Sequence, residues 1–498
     1  MRFKRILFVY PDYPDNHYGG KNPHPPIGIG YISELLKKND IETMLVDMGL
    51  QPPSRFLHER IEEFKPDLIA ISLMTFRYKH HYALLKDIKL HTDIPVAAGG
   101  PHVTALGTKV LEQCGHIDFG ICFEGEYTML ELCLGKELNE IEGLIYRENG
   151  NIIYNRERML IEELDTLPFP RYGNIDLSRY SDVRYICSSR GCPYNCAFCQ
   201  SRSMLGKKYR VRSAQNIFDE IVFWYDRDYR DFNFVDDNFT MDRQRVYALC
   251  SLIKQNNIKD LDLSVSGVRA DQVDEDLLKK MRESGFTHLC FGVESASDNI
   301  LRALNKKETI KTIERSVELA NKLGFFVRLY FVVGSPYETL KDVEKSIEFA
   351  EKYSTGGCNF GSLMPLPDTD LMDWVREHGT LLMEPDYYLN EFAEFERIPY
   401  FDGPGMTIEE KKMALEMTEK VKNRLEETYN RNLRKRSLVK YFRRDVKNSG
   451  YVKAIVYFLV RVILLNRFIY NLYKDNTFLK HCGMVFKGID TDSAKGTE

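Results

Sequence analysis

The stretch GCPYNCAFC, residues 191–199, stands directly after a short apolar run, Val183–Cys187, that has the length and composition of a buried strand. Its cysteines have the spacing C-x3-C-x2-C, so one loop can bring three thiols to a single soft metal centre. Structural zinc sites use four ligands, usually in paired C-x2-C units, whereas a [4Fe–4S] cluster held by three thiolates keeps one iron open to a small molecule. The spacing therefore favours an iron–sulfur cluster. A zinc site completed by a distant residue and three unrelated core cysteines are the alternatives.

Apolar runs alternate with amphipathic helical patterns on the C-terminal side of this stretch. After Val183–Cys187 there are five further strand candidates: Phe232–Val235, Leu261–Val268, His288–Val293, Phe325–Val333 and Asn359–Met364. Six β/α units predict a partial (β/α)6 barrel, similar to an incomplete TIM barrel, over residues 183–390. The site of such a barrel lies at the carboxyl ends of its strands.

The first 139 residues form a second block of the same alternating type. Its strand candidates are Ile6–Tyr10, Thr43–Asp47, Leu68–Leu73, Ile94–Gly99 and Phe119–Phe123. Five apolar runs separated by helical patterns predict a doubly wound, flavodoxin- or Rossmann-like parallel sheet. Ligands of such sheets bind outside the carboxyl ends of the strands.

Two further segments complete the chain. Residues 140–182 are predicted to be a connector, in which Asn149-Gly150 forms the turn of a β-hairpin and a Pro-containing linker follows. Residues 391–498 are predicted to be a helical tail. Within the tail, residues 431–473 combine a basic helix with an apolar stretch that contains scattered cations, which is typical of a segment lying on an anionic membrane surface. A helical domain that packs its apolar face on the barrel is the alternative.

Composition limits the class of protein. The 498 residues suggest two or three domains, and 43% hydrophobic with 29% charged residues are ordinary for a folded protein. A formal net charge of −4 gives no basic field that would indicate a nucleic-acid partner. Eleven cysteines, an odd number, do not suggest a disulfide framework, and no apolar run is long enough for a signal peptide or a membrane-spanning helix. We therefore expect a cytoplasmic protein without a nucleic-acid partner.

The cysteine stretch and its position after a doubly wound block resemble the radical S-adenosylmethionine (SAM) superfamily, in particular its branch with an N-terminal cobalamin (vitamin B12)-binding domain. The resemblance covers residues 1–390. It implies that Cys192, Cys196 and Cys199 bind a [4Fe–4S] cluster, whose fourth iron holds the amine and carboxylate of SAM. One electron, from a donor such as ferredoxin or flavodoxin, then cleaves SAM to methionine and a 5′-deoxyadenosyl radical.

The resemblance also assigns residues at the strand ends of the barrel to SAM. They are Phe198, Asp236, Asp237, Arg269, Glu294, Gly334 and Pro336. Phe198 would lie beside adenine, and Asp236 and Asp237 would meet the methionine amine. Arg269 would pair with the SAM carboxylate, and Glu294 would accept hydrogen bonds from the ribose. Gly334 and Pro336 would form a backbone bend near adenine. The residue types alone leave packing, helix capping and surface ion pairing as simpler roles.

In the first block, the resemblance assigns residues to the corrin and its nucleotide tail. They are Pro26, Gly28, Asp47, Gly99, Gly100, Pro101, His102, Gly125 and Glu126. Cobalamin domains often carry D-x-H-x-x-G, whose histidine ligates cobalt from below. Here Asp47-Met48-Gly49-Leu50 lacks that histidine, so we expect cobalt to have no such ligand. Other histidines of the block, including His102, are more typical of structural positions.

For activity, the resemblance implies an enzyme that methylates or otherwise remodels an unactivated carbon, with cobalamin as the methyl carrier. The tail suggests a hydrophobic substrate, either lipid-like or a tetrapyrrole. A cobalamin-free radical cyclase or C–C bond-forming enzyme, and a non-catalytic iron–sulfur protein, are the alternatives. Glu294 and Arg269 favour an enzyme, because a protein that only holds a cluster needs no SAM pocket. The sequence leaves open whether Cys114, Cys122 and Cys133 hold a second cluster.

Overall fold

A computed structural model of the chain describes residues 1–11, 24–50, 54–173, 175–390 and 397–433. The chain divides into two compact units, Met1–Lys422 and Asn423–Glu498. The first unit contains two large sheets with their helices. In the second unit, residues 423–433 are helical.

The first sheet contains seven strands: β1 (Arg5–Tyr10), β2 (Glu42–Asp47), β3 (Leu68–Ser72), β4 (Val96–Gly99), β5 (Phe119–Ile121), β6 (Leu144–Glu148) and β7 (Asn151–Tyr154). Their order is β2-β1-β3-β4-β5-β6-β7, and the first five strands are parallel. Successive residues of β1 enter different apolar clusters, with Leu7 and Val9 in one and Ile6 and Phe8 in the other. Because side chains alternate across a strand, the sheet is covered on both faces. This confirms the predicted doubly wound fold.

Helices α1 (Ile27–Lys37), α2 (Ser54–Phe64), α3 (Tyr78–His91), α4 (Pro101–Leu106), α5 (Lys109–Gln113) and α6 (Glu126–Leu134) connect and cover these strands. The predicted hairpin forms β6 and β7, with positive φ angles of 50° at Asn149 and 78° at Gly150, as a tight two-residue turn requires. Its strand β6 pairs antiparallel with β5. The hairpin therefore extends the first sheet, and the predicted boundary at residue 139 divides that sheet between two of its strands.

The second sheet contains six strands: β8 (Arg184–Ile186), β9 (Asp231–Phe234), β10 (Asp262–Val268), β11 (Phe286–Glu294), β12 (Phe326–Val333) and β13 (Cys358–Ser362). All are parallel, in the order β13-β12-β11-β10-β9-β8, so β8 and β13 are its edges among the described residues. Every second residue of β12 is buried. This confirms the six β/α units of the predicted partial barrel, whose strands form one parallel sheet.

The helices of this region are α7 (Ser201–Leu205), α8 (Ala214–Tyr225), α9 (Arg243–Gln255), α10 (Glu275–Glu283), α11 (Asp298–Ala303), α12 (Ile310–Lys322), α13 (Leu340–Tyr353), α14 (Asp370–His378) and α15 (Pro385–Asn390). Side-chain caps begin several of them, as at Ser213 of α8 and Asp274 of α10. Two short ribbons pair Ser189–Arg190 with Arg210–Val211 and Thr380–Leu381 with Phe401–Asp402.

The described part of the predicted tail is mainly helical, from residue 408 to residue 433. None of the helices in the described ranges is long and apolar enough to span a bilayer. The segment predicted to contact a membrane, residues 431–473, lies outside the described residues apart from its first three.

Candidate functional site

The cysteine loop, residues 191–199, runs from the ribbon strand Ser189–Arg190 towards α7. The Ala197 amide donates to the carbonyl of Leu304 (2.9 Å), and the amide of Leu371 donates to the carbonyl of Ala197 (2.8 Å). Gly191 begins the loop with φ +84°, and a Cβ there would lie 2.4 Å from the carbonyl oxygen of Lys208, so only glycine fits. Backbone contacts on both sides therefore fix the loop before any ligand binds.

The three thiols of the loop are not gathered closely enough to bind one ion together. Cys192 and Cys196 are half-buried and Cys199 is exposed, and none is in a disulfide. Among the described residues, the sulfur atoms of these three cysteines do not all lie within 4.8 Å of one another. Zinc–sulfur bonds of about 2.3 Å would place the thiolates about 4 Å apart, whereas a [4Fe–4S] cluster spreads them because each binds its own iron. The residues therefore fit a cluster better than zinc.

A buried group of charged side chains adjoins this loop. Arg269 lies 3.6 Å from the ring centroid of Tyr194, within the loop, and pairs with Asp271 at 3.0 Å. Lys306 Nζ lies 3.0 Å from Glu294 Oε1 and 3.6 Å from Glu308 Oε2. That Glu308 oxygen is buried and accepts no hydrogen bond within the described residues.

The charged group acts on the thiols of the loop without overcoming the effect of their burial. Burial raises the pKa of the Cys196 thiol, and the neighbouring cations Lys306 and Arg269 act in the opposite direction. Glu294 has a left-handed backbone with φ +64°, which costs about 1–3 kcal/mol in a residue other than glycine and is common at ligand-binding positions. Two cations, a Glu308 oxygen that accepts no hydrogen bond within the described residues, and the strained backbone of Glu294 therefore lie together beside the cysteine loop.

The two aspartates after β9 have different surroundings. Asp236 is buried and accepts hydrogen bonds from the amides of Ser188 (2.6 Å) and Ser189 (3.0 Å), and also from the Ser188 hydroxyl. Both of its oxygens are used within the protein, which favours a positioning role over the predicted contact with the SAM amine. Asp237 is exposed and accepts from the Ser201 hydroxyl, and its charge acts on the thiols of Cys192 and Cys199.

The remaining predicted SAM residues lie at the edges of this region. Phe198 is partly buried against an apolar cluster that includes Leu304 and Leu371. The amides of Gly334 and Ser335 donate to Glu338 Oε2 at 2.7 and 3.1 Å, which fixes the bend that also contains the buried Pro336. Burial raises the pKa of Glu338 to about 7. The contacts of Phe198 in the structure are packing contacts. The bend depends on Glu338, which was not among the predicted residues.

A mostly apolar cavity of about 280 Å³ lies at the carboxyl edge of the first sheet. Five of the predicted cobalamin residues line it: Gly28, Gly99, Gly100, Gly125 and Glu126. Three residues of the second block line it as well: Cys187, Arg190 and Leu205. Arg190 directly precedes the cysteine loop and Leu205 ends the helix α7 that follows it, so segments on both sides of the loop border this cavity.

The other four predicted residues do not line the cavity. Asp47 accepts from the Tyr180 hydroxyl and the Gly49 amide, both at 3.0 Å. His102 is buried, its Nε2 lies 3.0 Å from the Tyr82 hydroxyl, and burial lowers its pKa to about 4. Pro26 precedes α1 and Pro101 begins α4. These residues shape the strand ends, and His102 has the structural position expected for it.

The cysteines of the first domain do not converge. Cys114 and Cys122 are buried in one apolar cluster, and Cys133 is buried in the cluster on the other face of the sheet. Burial raises the pKa of the Cys122 thiol to about 11. Because the sheet separates them, these three residues cannot share a second cluster.

A buried ion network joins the two domains beside the cavity. Arg190 binds Glu124 at 2.8 Å and Glu126 at 2.7 Å, and Arg210 binds Glu124 at 2.6 Å. Although burial acts to raise the pKa of Glu124, the two arginines hold it below its ordinary value. The network holds the start of the cysteine loop against the turn between β5 and α6, where the predicted cobalamin residues Gly125 and Glu126 lie.

Two protein-family models match the chain: the B12 binding domain over residues 20–133 and the radical SAM superfamily over residues 186–350. The chain belongs to the radical SAM superfamily, in the branch that carries a B12-binding domain. It is therefore a radical SAM enzyme, and its cofactors are a [4Fe–4S] cluster, SAM and cobalamin.

Among its relatives is the "Uncharacterized methyltransferase PH0819" of Pyrococcus horikoshii, 31% identical over 370 residues, with 72% of this chain and 80% of the relative covered. The anaerobic magnesium-protoporphyrin IX monomethyl ester cyclase of Rubrivivax gelatinosus is 26% identical and is covered over 69% of its length, with 74% of this chain. Among solved structures, the cobalamin-dependent SAM radical enzyme OxsB with aqua-cobalamin and SAM bound has a TM-score of 0.68 at 17% identity. That likeness covers 97% of this chain and 75% of OxsB, and it concerns the fold.

Proposed function

We propose that this chain is a cobalamin-dependent radical SAM methyltransferase that methylates a carbon of a hydrophobic small molecule. One observation carries the proposal: Arg190, which directly precedes the cysteine loop, and Leu205, the last residue of the helix α7 that follows the loop, line the cavity of the B12-binding domain. When bound, the cofactors supply a substrate radical and a methyl group. Their two sites thus border one loop, as transfer between them requires.

The chain's own residues would bind and orient SAM. Cys192, Cys196 and Cys199 provide three thiolates for the cluster. The buried cations Arg269 and Lys306 suit a carboxylate, and the Glu308 oxygen, which pairs with both cations but accepts no hydrogen bond within the described residues, suits an ammonium or hydroxyl donor. In this assignment Glu294, in its strained conformation, contacts the ribose.

The cavity of the first domain suits a corrin held without a protein nitrogen on cobalt. Its glycines present backbone without side chains at the strand ends, and its lining within the described residues contains no histidine. Glu126 is already paired with Arg190 and borders the same cavity.

The substrate and partners are inferred from relatives and from the tail. The cyclase named above acts, by its name, on a protoporphyrin ester, and a "Hopanoid C-2 methylase" of Rhodopseudomonas palustris is also similar, at 24% identity. We infer a hydrophobic, lipid-like or tetrapyrrole substrate, with residues 431–473 bringing the enzyme to a membrane surface.

The exposed Cys199 marks the side on which ferredoxin or flavodoxin would deliver the electron.

Radical cyclisation is the second candidate function, because the cyclase of Rubrivivax gelatinosus matches 74% of this chain. The two candidates differ in the fate of the SAM methyl group. Reduced enzyme with bound corrinoid is incubated with SAM that carries a labelled methyl group. Label on the corrinoid supports methyl transfer, and a corrinoid without label favours cyclisation.

Filling the first-domain cavity is expected to abolish corrinoid binding. A Cβ at Gly28 would meet no atom within 4 Å, so Gly28→Leu adds bulk to open space without a clash in the protein. Hydroxocobalamin binding, measured by equilibrium dialysis, should fall by at least about tenfold, the effect of about 1.4 kcal/mol. Gly115→Leu is the control, since Gly115 is equally open and does not line the cavity. Equal binding by both variants would place the corrinoid elsewhere.

Neutralising Glu294 is expected to weaken SAM binding. Glu294→Gln replaces a charged acceptor by a neutral amide, and hydrogen bonds to charged groups contribute about 1.5–3 kcal/mol, so the SAM dissociation constant should rise by roughly 10- to 150-fold. Anaerobic calorimetry on the cluster-loaded protein measures it. Glu283→Gln, in an exposed ion pair with Lys254, is the control. Unchanged affinity in the Glu294 variant would remove Glu294 from the SAM site.

A further inference from the structure

We propose that His58, Asp87 and His91 form a binding site for a zinc-type divalent cation between α2 and α3. One ring nitrogen of each histidine and one oxygen of the carboxylate lie within 4.8 Å of one another. No second set of three or more such ligand atoms meets this criterion in the part of the chain that the structure describes. The site lies outside the cysteine loop and the cavity, and it does not depend on the proposed function.

The backbone brings these three side chains together. Asp87 and His91 are four residues apart on α3 and therefore share one face of that helix. His58 comes from α2, and its Nε2 lies 2.9 Å from Asp87 Oδ2. The two imidazole rings are 3.9 Å apart between centroids. The carboxylate is thus shared by histidines of two different helices.

The ring nitrogens of the two histidines have different hydrogen-bond partners. His91 Nδ1 lies 2.8 Å from the carbonyl oxygen of Asp87, and a hydrogen bond there fixes the ring and leaves the lone pair on Nε2. Metal-binding histidines commonly use the other nitrogen in this way. The Nε2 of His58 faces the Asp87 carboxylate at 2.9 Å, whereas its buried Nδ1 has no hydrogen-bond partner within the described residues.

The donor set selects the class of ion. Two imidazoles and one carboxylate suit Zn²⁺, which binds such ligands at about 2.0–2.2 Å in a four-coordinate site, whereas Ca²⁺ and Mg²⁺ prefer oxygen alone. The side chains of His58, Asp87 and His91 are 18%, 36% and 55% exposed, so the site opens to solvent on the His91 side. Water can supply the fourth ligand there. An ion held in this way would fasten α2 to α3.

The test uses the full chain with its cluster and corrinoid loaded, so that the thiols of the cysteine loop are already occupied. The protein is dialysed against buffered ZnCl₂, and zinc per chain is measured by mass spectrometry. We expect one zinc per chain with an affinity in the micromolar range or tighter, and a loss of about tenfold or more in His91→Gln and in His58→Gln. His80→Gln, at an exposed histidine of the same helix, should bind zinc as the unmodified chain does.

Thermal unfolding gives a second readout. Zinc should raise the unfolding midpoint of the unmodified chain, because the ion binds the folded helix pair, and should not raise that of His91→Gln. His91 is exposed, so its replacement is compatible with folding, which circular dichroism verifies. Two results would overturn the proposal: equal zinc binding by the unmodified chain and His91→Gln, or no zinc binding in the micromolar range. His58, Asp87 and His91 would then be only a hydrogen-bonded group on the surface.

Discussion

Replacing Cys192, Cys196 and Cys199 together by alanine is expected to remove the cluster iron and abolish SAM cleavage. Each thiolate binds its own iron, so no partial site remains. With dithionite as the reductant, formation of 5′-deoxyadenosine should fall at least about 100-fold, since even the loss of indirect metal contacts costs 10- to 100-fold. Iron analysis, the visible spectrum and product chromatography provide the measurements.

The control for this variant is Cys250→Ala, which removes a thiol buried on α9, away from the loop. It should retain iron and SAM cleavage. If the triple variant kept its iron content and spectrum, the cysteine loop would not be the cluster site.

Removing Arg190 is expected to have the largest effect on stability. Arg190→Met leaves the buried Glu126 carboxylate without its cation and removes one of the two partners of Glu124, which keeps Arg210. Breaking a buried ion pair from one side costs about 3–5 kcal/mol. We expect a lower denaturation midpoint for the variant, measured by circular dichroism, and weaker corrinoid binding because Arg190 lines the cavity.

Lys279→Met is the matched control, since it removes a cation from a fully exposed pair with Glu275 and should leave the midpoint unchanged. Equal midpoints for Arg190→Met and Lys279→Met would show that the network between the domains contributes nothing to stability.

The sheets and the cysteine loop were accessible from the sequence because their signals are local. Leu68–Ser72 is a buried parallel strand, and an uninterrupted apolar run is what such a strand requires. The three cysteines lie within eight residues, so their spacing alone defined a possible ligand set. The glycines at the strand ends were predictable for the same reason, and those at 28, 99, 100 and 125 line one cavity.

The partners of these residues were not accessible, because they are distant in the chain. Arg190 meets Glu126 across 64 positions, and no local pattern connects them. Lys306 and Glu308 belong to a Lys-Lys-Glu run that resembles an exposed charged surface, yet both are buried beside the loop. Asp236 had two compatible roles, and only its hydrogen bonds to Ser188 and Ser189 distinguish them.

The cofactor content of the anaerobically purified protein shows whether the chain holds two separate cofactor sites on either side of the cysteine loop. Iron, sulfide and corrinoid are quantified in the unmodified chain, in the triple alanine variant of Cys192, Cys196 and Cys199, and in Gly28→Leu. We predict about four irons and a bound corrinoid in the unmodified chain, corrinoid without iron in the triple variant, and iron without corrinoid in Gly28→Leu. An unmodified chain that holds iron but no corrinoid under any loading condition would contradict the account.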